Sequence, residues 1–377
     1  MRLNSKLIKL FKLNIFFYFL IIFLIAEFFA FIFIYFVIPK NVYYFPKLIT
    51  QDINIYNNNK HPILGWDIKN ENKDKYGARN DPNSDLYQNI CVEVYGNSYT
   101  YSEEVSDKNS WPAILSKLLN CRVLNYGVGG YGSDQSFIKF QIKNRKNTKV
   151  IFLNHLSENI LRNSSQLRNL IYPNSEIALK PLFILKENKI ELIPLPAIEN
   201  NEFFYNLEKE LKFDYFVPDR NSGIQNLPSF PMHFISLFKV LKHFHVKAKL
   251  MGYIRHEPFY EVDHKSNSFE VTKNIFQNFI NITNKNNQFG IITIIPTCRD
   301  FQSFENNKYF PYKNLVDFLE INQIRFIDFG KEILEYESNY NKLYNTCRSH
   351  FNEYGYYLIA KIANKYLLDK NLLETDQ

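Results

Sequence analysis

The chain reads as an α/β protein, a parallel sheet covered by helices on both faces in three layers, carried behind an N-terminal membrane helix. Three observations predict this. From Ile90 onward, short apolar runs alternate with amphipathic segments, the rhythm of strand–helix–strand units. One of those runs, Val150–Leu156 (VIFLNHL), is apolar almost throughout, as a strand buried on both faces must be. Residues 13–38 form an apolar run whose one charge is Glu27, where about 20 apolar residues suffice to span a bilayer.

Taken in order, Arg2, Lys6, Lys9 and Lys12 precede that run. The positive-inside rule then makes residues 1–12 a cytoplasmic tail, 13–38 a single-pass signal-anchor in the cell membrane, and the rest extracytoplasmic, periplasmic or on the outer side. A cleaved signal peptide would show an apolar core of about 7–15 residues and an A-x-A-like site, and neither is present. Residues 39–88 are polar and turn-rich (NIYNNNKHP, NENKDK), a spacer that packs on the domain at 89–372. There CVEVYG is a strand and SWPAILSKLLN an amphipathic helix with Ser110 as N-cap and Pro112 in its first turn. CRVLNYG is a second strand, SDQSFIKFQIKN a helix capped by Ser133 or Asp134, and VIFLNHL a third strand.

The rhythm breaks over residues 165–247, read as an insertion, a lid or a substrate-facing subdomain. ALKPLFILKENKIELIPLP predicts a hairpin turning at Glu187, Asn188 and Lys189, and an apolar helix follows at 234–244. KAKLMGYI is a strand or a helix end. A helix at 269–284, a strand at GIITIIP, a helix near 315–322, a strand at IRFID and a last helix near 353–368 complete the chain.

Composition excludes several functions. The net charge of +7 is scattered, with no basic cluster beyond the N-terminus, so no nucleic-acid footprint is present. No Cys-x-x-Cys or His-Glu-x-x-His pattern offers metal-ligand spacing, and no cofactor is implied. The four cysteines allow three full pairings. Cys91 and Cys121 open two strands, while Cys298 and Cys347 fall on loops at the expected site. In an oxidising compartment a Cys298–Cys347 bridge would anchor the second loop; free buried thiols are the alternative.

Parallel sheets bind ligands at the carboxyl ends of their strands. Ser98, Gly130, residues 153–159 and Cys298 fall at those ends, and His350 enters from a loop on the same side. A serine hydroxyl is a poor nucleophile until an imidazole takes its proton, and Ser98 and His350 are the two halves of such a site. At a helix start, the Ser98 N–H can donate to an oxyanion. Gly127, Gly129 and Gly132 also fit G-x-G-x-x-G. A dinucleotide site, however, carries that motif after its first strand and an acid at the end of the next, where Leu153, Asn154 and His155 stand here.

These residues resemble the SGNH (GDSL-type) hydrolases. Gly96-Asn97-Ser98-Tyr99-Thr100 stands where that family has Gly-Asp-Ser, and Gly130 in VLNYGVGGYGSDQ matches its second-block glycine. Cys347-Arg348-Ser349-His350 matches the last block, and HPILGWDIKNENKDKYGARND looks like a lead-in of the form LGW…N…G-R, so the resemblance spans about residues 62–368. It implies a flavodoxin-like parallel sheet, Ser98 as nucleophile, His350 as base, and Gly130 as oxyanion donor. A third donor should be an asparagine after the third strand: Asn159 first, Asn154 second. An ungapped match places Glu158 there, which would repel an oxyanion. Arg348 is a candidate for holding an anionic substrate group, or a helix cap.

Two departures stand out. Asn97 replaces an Asp that shapes the turn, a tolerable change. Cys347 and Arg348 occupy the usual positions of the acid that orients the histidine, so Asp300, Asp328 or a backbone carbonyl would have to take that role. The implied function is a serine esterase or deacylase acting on acyl esters of an envelope glycan or lipid. The alternatives are an O-acyltransferase of the same fold, with a sugar hydroxyl in place of water, or a catalytically inactive envelope protein that binds a glycan or a partner.

Overall fold

The computed structural model describes residues 5–38, 49–217 and 228–373, with side chains in the first helix from Lys12 onward. Five strands, β1 (Ile90–Tyr95), β2 (Arg122–Asn125), β3 (Val150–Leu156), β6 (Phe289–Ile295) and β7 (Phe326–Asp328), form one sheet in the order β2-β1-β3-β6-β7. Every pairing in it is parallel. β4 (Leu182–Lys186) and β5 (Lys189–Ile193) form a separate antiparallel hairpin. Without that hairpin the order is the 2-1-3-4-5 of a doubly wound sheet. The chain winds outward from β1 to β2 and then back through β3, which opens a crevice between the carboxyl ends of β1 and β3.

β3 lies at the centre, and all seven of its residues are buried. The crossovers between parallel neighbours put the helices on opposite faces. Trp111–Leu119, Phe329–Tyr336 and Glu353–Asp369 pack together on one, Ser133–Lys143 and Ser268–Lys285 on the other.

The predicted strands and their order along the chain hold, and several element edges are corrected. Gly132, not Ser133 or Asp134, caps Ser133–Lys143, and both of those residues fall in its first turn. The hairpin turns at Glu187 and Asn188 alone, both left-handed (φ 49° and 62°), because Lys189 already pairs with Lys186. The single helix expected at 234–244 is two, His233–Leu241 and Phe244–Met251, separated where the His243 side chain caps the second. KAKLMGYI is the end of that second helix, stopped at Gly252. Cys298 lies not on a loop but at the start of helix Cys298–Asn307, opened by a capping box between Thr297 and Asp300. Both cysteine pairs are closed as disulfides, Cys91–Cys121 and Cys298–Cys347.

The N-terminal helix Ser5–Ile32 runs on into a π turn, Phe33–Val37, and its stretch Lys12–Val37 is long and apolar enough to cross a membrane. Glu27, the lone charge, is buried against the insertion. Its carboxylate accepts from the backbone N–H groups of His233 (3.0 Å) and Phe234 (2.8 Å) and lies 3.0 Å from His233 Nδ1. It thereby satisfies orphan donors at the start of His233–Leu241. Beside this contact Ile34, Ile38, Val240 and Val246 form a small second core. Phe230, Met232, Ile235 and Phe238 are exposed on the same segment. Residues 1–4 of the expected tail, 39–48 of the spacer and 218–227 of the insertion lie outside the described residues.

Candidate active site

The nucleophile candidate is built by the exit of β1. Gly96 is required there by space, since a Cβ would collide with Thr100 Oγ1 and come within 2.9 Å of Asn154 Cβ. Asn97 caps the short helix Ser98–Tyr101, its Oδ1 accepting from the Tyr99 N–H at 2.9 Å. An aspartate would accept the same bond, so Asn97 does the turn-shaping expected of it. Ser98 is buried at the head of this helix, and among the described residues neither its N–H nor its hydroxyl donates to a protein acceptor.

The lead-in segment fixes this corner from outside. Arg79, of the G-R pair, donates from Nη1 to the carbonyls of Tyr101 and Ser102 (2.8 Å to the latter), from Nη2 to Val105 O (2.9 Å) and from Nε to Asp107 (2.7 Å). Trp66, of LGW, donates from Nε1 to the Gly129 carbonyl at 2.8 Å. That carbonyl shares a planar peptide with the Gly130 N–H, so the bond also sets the direction of the N–H. Gly130 has φ +80°, where glycine alone is at ease, and among the described residues its N–H has no acceptor. Two free backbone donors, Ser98 N–H and Gly130 N–H, thus stand at the ends of adjacent strands.

His350 lies over Tyr99, the residue after Ser98, with ring centroids 4.9 Å apart. Its loop is tied to the end of β6 by the Cys298–Cys347 bridge. Nδ1 is 2.9 Å from Glu104 Oε1 and Nε2 is 3.4 Å from Glu103 Oε2. Both ring nitrogens of His350 therefore face a carboxylate oxygen. No hydrogen bond joins Ser98 Oγ to His350 among the described contacts.

The carboxylate on His350 is therefore neither Asp300 nor Asp328. Asp300 is fully buried, bonded to His256 Nε2 (2.8 Å) and to Thr297. Asp328 caps Phe329–Tyr336 and accepts from Tyr312 OH at 2.9 Å, with burial pushing its carboxyl up to about 6. The sequence signal for Glu104 was its closeness to Ser98, in SYTYSEE. What hid it is the backbone: Ser102 (φ 67°) and Glu104 (φ 70°) are both left-handed, and the resulting turn swings the two glutamates toward His350.

The asparagine amides are engaged inside the protein. Asn154 Nδ2 donates to Thr100 Oγ1 (3.0 Å) and its Oδ1 accepts from Thr293, which places it beneath Ser98–Tyr101. Asn159 Nδ2 donates to Ser133 Oγ (3.3 Å) and its Oδ1 accepts from Arg162 (3.2 Å). Arg348 is exposed and its guanidinium has no partner among the described residues.

A hydrogen-bonded Ser–His pair does occur, but elsewhere. Ser133 Oγ lies 2.8 Å from His155 Nδ1, and His155 Nε2 lies 2.8 Å from Tyr260 OH, which donates to Ser157 O at 2.7 Å. Since Tyr260 spends its one proton on Ser157, Nε2 carries the imidazole proton and Nδ1 accepts from Ser133. All three side chains are sealed from solvent, and burial brings His155 down to about 3.

Sequence reasoning also missed a cluster of arginines. The guanidinium carbons of Arg255, Arg168 and Arg162 lie 4.4, 4.6 and 5.4 Å from the centre of the Tyr172 ring. Glu158 accepts from Tyr172 OH (2.5 Å) and Arg255 (3.2 Å) and lies 3.8 Å from Arg162. Against the upward push of burial, Arg255 and Arg162 hold its carboxyl far below the usual carboxylate range. Scattered over residues 158–255, these side chains form no local motif.

A scan of protein-family models and a search of curated sequences find no match. Solved structures of similar outline include a G-D-S-L family lipolytic protein from Desulfitobacterium hafniense DCB-2 (12% identity, TM-score 0.34, covering 74% of this chain and 99% of that one). A second member of the lipolytic G-D-S-L family, from Veillonella parvula DSM 2008, aligns at 13% identity and TM-score 0.36 over 74% of this chain and 98% of its own. LAE5, an alpha/beta hydrolase from the metagenome of Lake Arreo, Spain, aligns at 11% and 0.38 over 77% and 98%. At such scores these likenesses place no residue of this chain, and the site is read from its own geometry.

Proposed function

We propose that the protein is a serine ester hydrolase of SGNH type, anchored in the membrane by its N-terminal helix and acting on an acylated glycan or lipid outside the cytoplasm. One observation carries the reading: at the carboxyl ends of adjacent strands the N–H groups of Ser98 and Gly130 have no acceptor among the described residues, and the ring next to Ser98 supports a histidine held by a carboxylate. His350 swings Nε2 from Glu103 to Ser98 and takes the Oγ proton as Oγ bonds to the ester carbonyl carbon. The oxyanion forms between Ser98 N–H and Gly130 N–H. On collapse the ester C–O bond breaks and the alkoxide leaves with the proton from Nε2. Water then attacks the acyl-serine, gives its proton to Nε2, and the acid departs as Ser98 recovers its own. In the transferase variant a sugar hydroxyl takes the place of that water. Glu104 positions His350 and stabilises the imidazolium.

Support for an uncleaved anchor comes from Glu27, whose removal with the helix would strip His233 and Phe234 of their acceptor. The two disulfides support an oxidising side. The test is hydrolysis of p-nitrophenyl acetate by the full chain in detergent. Turnover should fall to background in Ser98→Ala and in His350→Ala, with melting temperatures near the parent's. Parent turnover no higher than that of the two variants would instead favour the binding-protein reading, in which Glu103 keeps Nε2 from Ser98.

A further inference from the structure

Arg168 sits beside the glycine of the proposed oxyanion site. A Cβ on Gly130 would lie 3.0 Å from its Nε, so the guanidinium rests against the glycine whose N–H faces the proposed oxyanion. On the other side Gly129 abuts the Glu103 carboxylate, which in turn contacts His350. These contacts run in series from His350 through Glu103 and the two glycines to Arg168 and Tyr172.

In that series Arg168 is the anomaly. Arg255 and Arg162 share Glu158, and Arg162 also donates to Tyr131 O at 2.9 Å. Arg168 alone of the three has neither an ion pair nor a side-chain hydrogen bond among the described residues, and its Nε, like theirs, is buried without a partner. Its guanidinium stacks on the face of Tyr172. Burial and the neighbouring Arg162 bring it down to about 10, so it still carries its charge at neutral pH. Buried donors are nearly always satisfied, and a planar fork of N–H groups is satisfied best by a carboxylate or a phosphate.

We propose that Arg168, stacked on Tyr172, binds an anionic group of the substrate, so that the ester cleaved at Ser98 sits on the same sugar as a carboxylate or phosphate, or on the neighbouring one. This rests on the esterase reading for its location but not for its test. In a Ser98→Ala background, which turns nothing over, titration calorimetry on the full chain in detergent would compare glucuronate, glucose 1-phosphate and glucose. The two charged sugars should bind at least ten-fold more tightly than glucose, and whichever binds more tightly identifies carboxylate or phosphate as the natural group. Adding Arg168→Ala should erase the preference, Arg168→Lys should restore it in part, and Arg348→Ala should leave it intact. Equal affinity for all three sugars overturns the proposal, as does a preference that survives Arg168→Ala or leaves with Arg348→Ala. Absence of p-nitrophenyl acetate turnover would sink the esterase reading alone. A fold check by melting temperature covers each variant, and the lysine variant keeps the test sound if alanine unfolds the loop.

Discussion

Glu104 reaches the imidazole through a backbone that few residues adopt. At φ +70° a side chain other than glycine costs about 1–3 kcal/mol, and such strain persists where the surrounding structure holds it for a purpose. Glu104→Gly should therefore keep or raise the melting temperature, by up to about 1 kcal/mol of stability, while esterase activity collapses. Glu104→Gln keeps the shape but loses the charge. It should lower kcat about 100-fold and leave the melting temperature near the parent's. A residue that only shaped the turn would move melting and leave kcat in place. This acid was illegible because sequence distance says nothing about a turn that reverses direction at two left-handed residues. Ser98 and His350 stood out as candidates because a strand exit and a late loop are marked by the apolar runs beside them.

At the scale of elements, the lead-in holds the site and the strands aim it. Trp66 fixes the peptide that carries the Gly130 N–H. Trp66→Phe leaves the ring and removes the bond, and about 1.4 kcal/mol of lost oxyanion stabilisation is roughly a ten-fold fall in kcat. KM for a small ester should change little, and a fall in melting temperature with no fall in kcat would refute the role. β3 supplies a pH dependence through His155. The unfolded chain protonates this histidine below about 6.5, whereas the folded one stays neutral until about 3. Its contribution is complete above pH 6.5 and is lost as pH falls through that window, at up to about 1.4 kcal/mol per unit. Melting temperature should fall between pH 6.5 and 4.5, and more gently in His155→Gln, whose amide can both accept from Ser133 and donate to Tyr260. Strands and long helices were readable from their periodicity. Helix Cys298–Asn307 was not: Phe301 and Phe304 are its only large apolar residues in a polar run, and what starts it is a capping box.

For the whole molecule, sheet order and disulfides divide the work. The doubly wound order brings β1, β2 and β3 to one crevice, while β7, three residues long, closes the far edge. The Cys298–Cys347 bridge spans 49 residues and encloses β7 with its flanking helices. Closing a loop of that length is worth about 4 kcal/mol in the chain-entropy account. Paired Cys298→Ser and Cys347→Ser should lower stability by a comparable amount and, by loosening His350, lower kcat beyond what the Cys91–Cys121 pair does when replaced. Equal losses from the two pairs would remove any special role for the second. A short edge strand ordinarily frays first and alone, because the chain beyond it is free to follow. Here β7 belongs to a closed ring whose clasp is three residues from His350, so the sheet's weakest margin cannot peel away as a loose end. It opens only as a loop within a ring, which shelters the His350 loop from fraying at that edge.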